Sequence, residues 1–176
     1  MKDIVRMGLV LMLICVVAAG SLSYVNGITS VIIADREVRE KIEQMRRLFP
    51  EVSETEDRTV DGMTATVGVD GDGNLVGVLA EARTEGYGGT IRFTLAVDAA
   101  GTIVGVNILS QSETPGLGDK ILAPSFLNQF AGKTRGDPIA LGQDIDNISG
   151  ATVSVRAMVT GVNKALQDVL GRFVDN

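Results

Sequence analysis

Val69-Asp70-Gly71-Asp72-Gly73-Asn74-Leu75-Val76-Gly77-Val78 returns further along the chain as Val97-Asp98-Ala99-Ala100-Gly101-Thr102-Ile103-Val104-Gly105-Val106. Both copies read V-D-x-x-G-x-[L/I]-V-G-V. An Asp that opens a turn, with a Gly three places later at a left-handed position, marks a hairpin. β-Favouring runs flank each copy: Met63 to Val69, Leu75 to Ala82, Thr90 to Val97 and Thr102 to Leu109. The repeat therefore predicts two hairpins, about four strands, as the body of an antiparallel sheet. Asp70, Asp72 and Asn74 also begin a D-x-D-x-N pattern resembling a calcium loop. The bidentate Glu of such a loop would have to be Glu81, inside a strand run, so turn formation is the better account.

Outside the repeat the periodicity changes. Val38, Ile42, Met45 and Leu48 share one helical stripe with Pro50 beyond it, which predicts an amphipathic helix from Asp35 to Phe49. Glu51 to Gly62 is polar and acidic and reads as a surface loop. Pro124 and Ser125 open a short helix through Phe126, Leu127 and Phe130, closed by Gly132. Val155, Met158, Val159, Val162, Ala165, Leu166, Val169 and Leu170 form a long apolar stripe, closed by Gly171. Strands bracketed by helices give the α+β class: an antiparallel sheet built from repeated hairpins, with flanking helices.

No charged residue occurs from Met7 to Ala34, and the run Met7 to Val25 is long enough to cross a hydrocarbon core. Lys2 and Arg6 precede it, and Asp35, Arg36 and Glu37 follow. The positive-inside bias therefore keeps the N-terminus cytoplasmic and exports the remainder. Ala18-Ala19-Gly20 also suits a cleavable signal peptide, but the apolar run continues past it and exceeds a typical signal core. Tyr24 fits the outer interface. The expected organisation is a transmembrane anchor over 1–33, an amphipathic helix and connecting loop over 34–62, and a cofactor domain over 63–176.

Composition removes several chemistries. With no His, imidazole base catalysis and His-ligated metals are excluded. Cys15 is the one cysteine and lies in the apolar run, so it reads as a buried small hydrophobe and leaves no disulfide or thiolate cage. A net charge of −6 argues against nucleic acid as partner. Redox work must come from a borrowed cofactor.

Two segments carry more than folding requires. The first is Asp146-Asn147-Ile148-Ser149-Gly150-Ala151-Thr152, just before the last helix. Ser149 or Thr152 could cap that helix, and the same place suits an anion, since free amides and the helix dipole point there. Both readings stand on the residues alone. The second is Glu113-Thr114-Pro115-Gly116-Leu117-Gly118, a tight turn that lacks P-loop spacing. It is either a connector or a ligand loop. A hydrolase with Ser149 as nucleophile lacks any evident base.

Asp146, Ser149, Gly150, Ala151 and Thr152 spell D-x-x-[ST]-G-A-T, similar to the signal at which a flavin transferase attaches FMN. Together with Gly86-Tyr87-Gly88-Gly89 and E-T-P-G-L-G, this resembles the FMN-binding domain family from about Met63 to Leu170. Within the family the chain looks most like the G subunit of Rnf electron-transport complexes, with the C subunit of sodium-translocating NADH:quinone reductase as the alternative. Gln111 stands where the family often has His. The resemblance implies FMN joined by a phosphoester to Thr152, with Asp146, Ser149, Gly150 and Ala151 completing the signal. It implies that Glu113, Thr114, Pro115, Gly116, Leu117 and Gly118 lie against the flavin ring, and that Gly88 and Gly89 let a strand edge pass near it. With few aromatics, stacking should be largely aliphatic. The implied role is electron relay, as one subunit of an ion-translocating oxidoreductase that turns over no metabolite by itself. The implied partners are neighbouring membrane and redox subunits, with a flavin transferase during maturation. The implied place is the outer face of the cell membrane. A non-redox extracytoplasmic binding module is the rival from another class.

Overall fold

The computed structural model describes residues 6–13, 15–21 and 42–175. The chain divides into two units, Met1–Ile42 and Glu43–Asn176. In the first, 6–13 and 15–21 are helical and exposed, Cys15 included, contrary to the burial expected of it. Among the described residues no helix is long and apolar enough to cross a membrane. Tyr24 and the rest of the expected anchor, and the first part of the amphipathic helix, lie outside the described residues.

The second unit holds a five-stranded meander in which each strand pairs with the next: β1 Glu54–Val60, β2 Met63–Val69, β3 Leu75–Glu85, β4 Thr90–Asp98 and β5 Ile103–Ser110. All pairings are antiparallel. The repeat builds the β2–β3 and β4–β5 turns with the same bonds. Asp70 Oδ1 accepts the amides of Asp72 and Asn74, each at 2.9 Å. Asp98 Oδ1 accepts those of Ala100 and Thr102, at 2.9 and 2.8 Å. Gly73 and Gly101 take φ of 83° and 82°.

The acidic stretch expected as a surface loop is instead β1, a mostly exposed edge strand paired over its full length with β2. Its turn is Asp61-Gly62, both at positive φ (48° and 77°), the pair a type I′ hairpin demands. Charged side chains on such an edge also block pairing with a second chain.

Each face of the sheet is covered differently. Residues 43–48 form helix α1, whose Met45 packs with Phe49 and Val52 against Leu79 and Ala96. Gly68 and Gly77 are cross-strand partners, and their missing side chains make room for Val52 and Phe49. A Cβ on Gly77 would stand 2.5 Å from the Phe49 ring. On the other face, α2 (Pro124–Leu127), a 3-10 turn at Asn128–Phe130 and the long α3 (Thr152–Val169) bury Phe126, Phe130, Val155, Met158, Val162 and Leu166 against Ile91, Phe93 and Leu95. Thr84 of β3 donates to the Ala157 carbonyl at 3.1 Å, and Gly161 lets helix and strand touch there. Gly171 does not close α3 as expected. The chain continues as a π-helical turn, Leu170–Val174, in which Arg172 donates to the carbonyls of Val60 and Asp61 and so binds the helix end to the β1–β2 turn.

The connection to α3 is held by Asp144. Its carboxylate accepts the amides of Ile139 (3.1 Å) and Ala140 (2.7 Å) and pairs with Lys133 at 2.9 Å. Buried Ile139 sits at φ 35°, a costly conformation for a β-branched residue, and its carbonyl is further pinned by Asn163. Burial pushes the Asp144 pKa up, but the Ala140 amide and the Lys133 ammonium outweigh it, so the carboxyl titrates below its ordinary value. A depressed folded pKa adds stability that is complete above the unfolded pKa, near pH 4, and drains away as pH falls through the folded value. Asp144→Asn should therefore cost about 1–3 kcal/mol at neutral pH in urea titrations and flatten the loss of stability below about pH 4.

Candidate functional site

The first turn of α3, the turn that follows β5 and the tip of the β3–β4 hairpin meet around one cleft of about 350 Å³. It is lined by Tyr87, Glu113, Thr114, Leu117, Gly118, Gly150, Ala151, Thr152, Val153 and Ser154. The volume is at the lower end of ligand pockets. Each segment arrives for a local reason. In the turn, Pro115 and Gly116 (φ 77°) occupy the two central positions, and the amides of Leu117 and Gly118 return to the Thr114 carbonyl at 3.1 and 3.0 Å. At the hairpin tip the Gly86 amide bonds to the Gly89 carbonyl at 2.9 Å. Gly150, at φ 82°, turns the chain into α3.

Thr152 is the first residue of α3, and neither it nor Ser149 caps the helix. The N-cap is Ala151, and no side chain bonds to the first amides. Of the two readings left open by the sequence, capping is thereby set aside, and an uncapped helix start lines the cleft. The Thr152 Oγ1 accepts a hydrogen bond from Asn147 Nδ2 at 3.1 Å. Ser149 is exposed and outside the lining, as is Asp146, whose backbone amide is held by Gln129 at 2.7 Å.

The E-T-P-G-L-G segment divides into three roles. Thr114, Leu117 and Gly118 face the cleft, Pro115 and Gly116 form the back of the turn, and Glu113 is buried. Glu113 Oε1 accepts the Gly88 amide at 3.1 Å and Oε2 accepts the Ser154 hydroxyl at 2.5 Å. One carboxylate thus ties together all three segments. Gly88 and Gly89 are not in the lining. Their place is behind it, where a Cβ on Gly88 would lie 2.1 Å from the Ser112 carbonyl oxygen. Gln111 turns back onto the chain, its Oε1 accepting the Glu113 amide at 2.5 Å.

Val153 and Ser154 join the cleft from outside the sequence motifs, and Tyr87 joins it from within the Gly86-Tyr87-Gly88-Gly89 motif, where the sequence assigns it no role. Ser154 has no local signal, because its partner lies 41 positions away. Tyr87 does have one, as the aromatic between two glycines, and it is 74% exposed on the cleft rim. With Leu117 and Val153, also exposed, it makes an apolar rim of two aliphatic side chains and one aromatic.

These residues fit a flavin nucleotide: an uncapped helix start and a glycine beside the hydroxyl for the phosphate, an apolar rim for a flat ring. Similarity to known proteins points the same way. The FMN-binding domain family matches residues 86–167. Over 177 residues the chain is 34% identical to the G subunit of the ion-translocating oxidoreductase complex of Cereibacter sphaeroides, covering 90% of this chain and 81% of that one. It is 30% identical over 179 residues to the protein of the same name from Methanosarcina acetivorans, covering 96% and 95%. Among solved structures, the C subunit of the Na(+)-translocating NADH-quinone reductase from Parabacteroides distasonis shares the fold. Its TM-score is 0.53 at 22% identity, over 74% of this chain and 81% of that one. On the strength of that kinship, and of motifs that converge on one cleft, the chain belongs to the FMN-binding domain family.

Proposed function

We propose that this chain is the electron-carrying flavoprotein subunit of an Rnf-type ion-translocating oxidoreductase complex, with FMN esterified to the Thr152 hydroxyl. The observation that carries the reading is that hydroxyl at the uncapped start of α3, on a cleft with an apolar rim. The names of the G-subunit relatives support the complex, and the family supports the cofactor.

In this reading the free amides at the start of α3 receive the phosphate, whose negative charge the helix dipole favours. Tyr87, Leu117 and Val153 hold the ring by apolar contact, and Asn147 orients the threonine oxygen. When bound, the flavin supplies one- and two-electron chemistry, and the protein supplies its position and surroundings. A covalent tether answers a problem of mass action, because a reversible site loses its ligand where free FMN is scarce.

Residues 1–33 serve as a membrane anchor with Lys2 and Arg6 on the cytoplasmic side. The folded unit Glu43–Asn176 carries the cofactor at the outer surface, next to other redox subunits. A flavin transferase installs the FMN. Mass spectrometry of the peptide containing Thr152, from cells coexpressing such a transferase, should show an FMN-sized adduct. An unmodified peptide from those cells rejects the proposal.

A further inference from the structure

Glu113 supplies the one carboxylate among the cleft-lining residues, and it is 5% exposed. Both of its partners are neutral donors, the Gly88 amide and the Ser154 hydroxyl. Among the described residues no lysine or arginine pairs with it. Burying a carboxylate without a cation is expensive. Holding the three segments together does not require the charge. Glutamine has the same shape and could keep both contacts, its oxygen accepting the Gly88 amide and its nitrogen donating to Ser154. The start of α3 is beside it, and the positive end of the helix dipole makes the anion tolerable. The packing therefore holds a carboxylate in the wall of the cleft, where a neutral group would serve the fold as well.

We propose that Glu113 is a redox-positioning residue, a fixed anion that holds down the reduction potential of the flavin in this cleft. The inference rests on the flavin reading above. Reduction brings negative charge into the cleft, and a carboxylate in its wall opposes it. Protein walls screen that repulsion less than water does. Ser154 and Gly88 fix the carboxylate in the wall of the cleft and away from solvent.

The test is the midpoint potential of the full-length chain in detergent, loaded by a coexpressed flavin transferase and titrated with dithionite. Glu113→Gln should load and raise the reduced-to-oxidised ratio at a fixed poise on the order of tenfold, about 30 mV for a two-electron couple. Glu113→Asp, which keeps the charge, should stay near the parent. Ser154→Ala, which loosens the same contact but keeps the carboxylate, should produce no rise. An unchanged potential in Glu113→Gln, or an equal rise in Ser154→Ala, overturns the inference and leaves the flavin reading intact. A parent chain that carries no flavin sinks both. If the Glu113 variants do not fold, Val153→Lys adds a cation at an exposed rim position. A potential that does not rise there also overturns the inference.

Discussion

Thr152→Val should abolish the flavin adduct while leaving the fold standing. Valine replaces the hydroxyl with a methyl of nearly the same size, so the shape at the start of α3 is kept. Only Asn147 loses a hydrogen bond, at an exposed position where water replaces it. The stability cost should stay below about 1 kcal/mol. The chemical cost is total, because a phosphoester needs an oxygen. Ser149 cannot stand in: it is exposed, lies before the Gly150 turn and is not on the cleft. In-gel flavin fluorescence under denaturing conditions should show a band for the parent and none for the variant, with equal protein stain. Thr152→Ser, which keeps the oxygen, should retain the band. Fluorescence persisting in Thr152→Val would move the attachment point elsewhere.

The largest loss of stability should come from Gly88→Ala. The new Cβ would stand 2.1 Å from the Ser112 carbonyl oxygen and 3.0 Å from the Glu113 Cα. Both are backbone atoms, so no side chain can swing away and the hairpin tip must lift. Lifting breaks the bond from the Gly88 amide to Glu113 and leaves a buried carboxylate oxygen without its donor. Overpacking together with an unsatisfied buried charge should cost about 3–5 kcal/mol. Gly71→Ala is the control, with nothing nearer than the Ser53 hydroxyl at 3.8 Å, and should change stability by less than about 1 kcal/mol. Urea unfolding followed by circular dichroism measures both. Equal midpoints for the two variants would show that the tip does not need that close approach.

Much of the fold is readable because its information is local. The Asp-to-Gly punctuation of the repeat acts within five residues, and both predicted turns form with the same bonds. The strands Met63–Val69 and Thr90–Asp98 fall where alternation and β-branched residues put them. The stripe of α3 needs only its own periodicity. That β1 escapes such a reading has an equally local cause. Glu54–Val60 has little apolar pattern because an edge strand open to solvent buries little, and its pairing rests on backbone bonds that any side chain permits. The Asp61-Gly62 dipeptide is the sign to weigh. Gly171 fails as a stop signal because Arg172 finds carbonyls more than a hundred residues away.

By itself the sequence determined the class of the domain, the hairpin turns and the long last helix, and it singled out Thr152 as the residue proposed to carry the cofactor. It did so because turn geometry, helical periodicity and an attachment motif are each written within a few consecutive positions. Only the tertiary structure decided that Glu113 is buried between Gly88 and Ser154, that Tyr87 and Val153 join Leu117 on the rim, and that α3 begins without a side-chain cap. Those facts depend on contacts between segments 25 and 41 positions apart, and no local pattern encodes which of many compatible partners a buried carboxylate will meet.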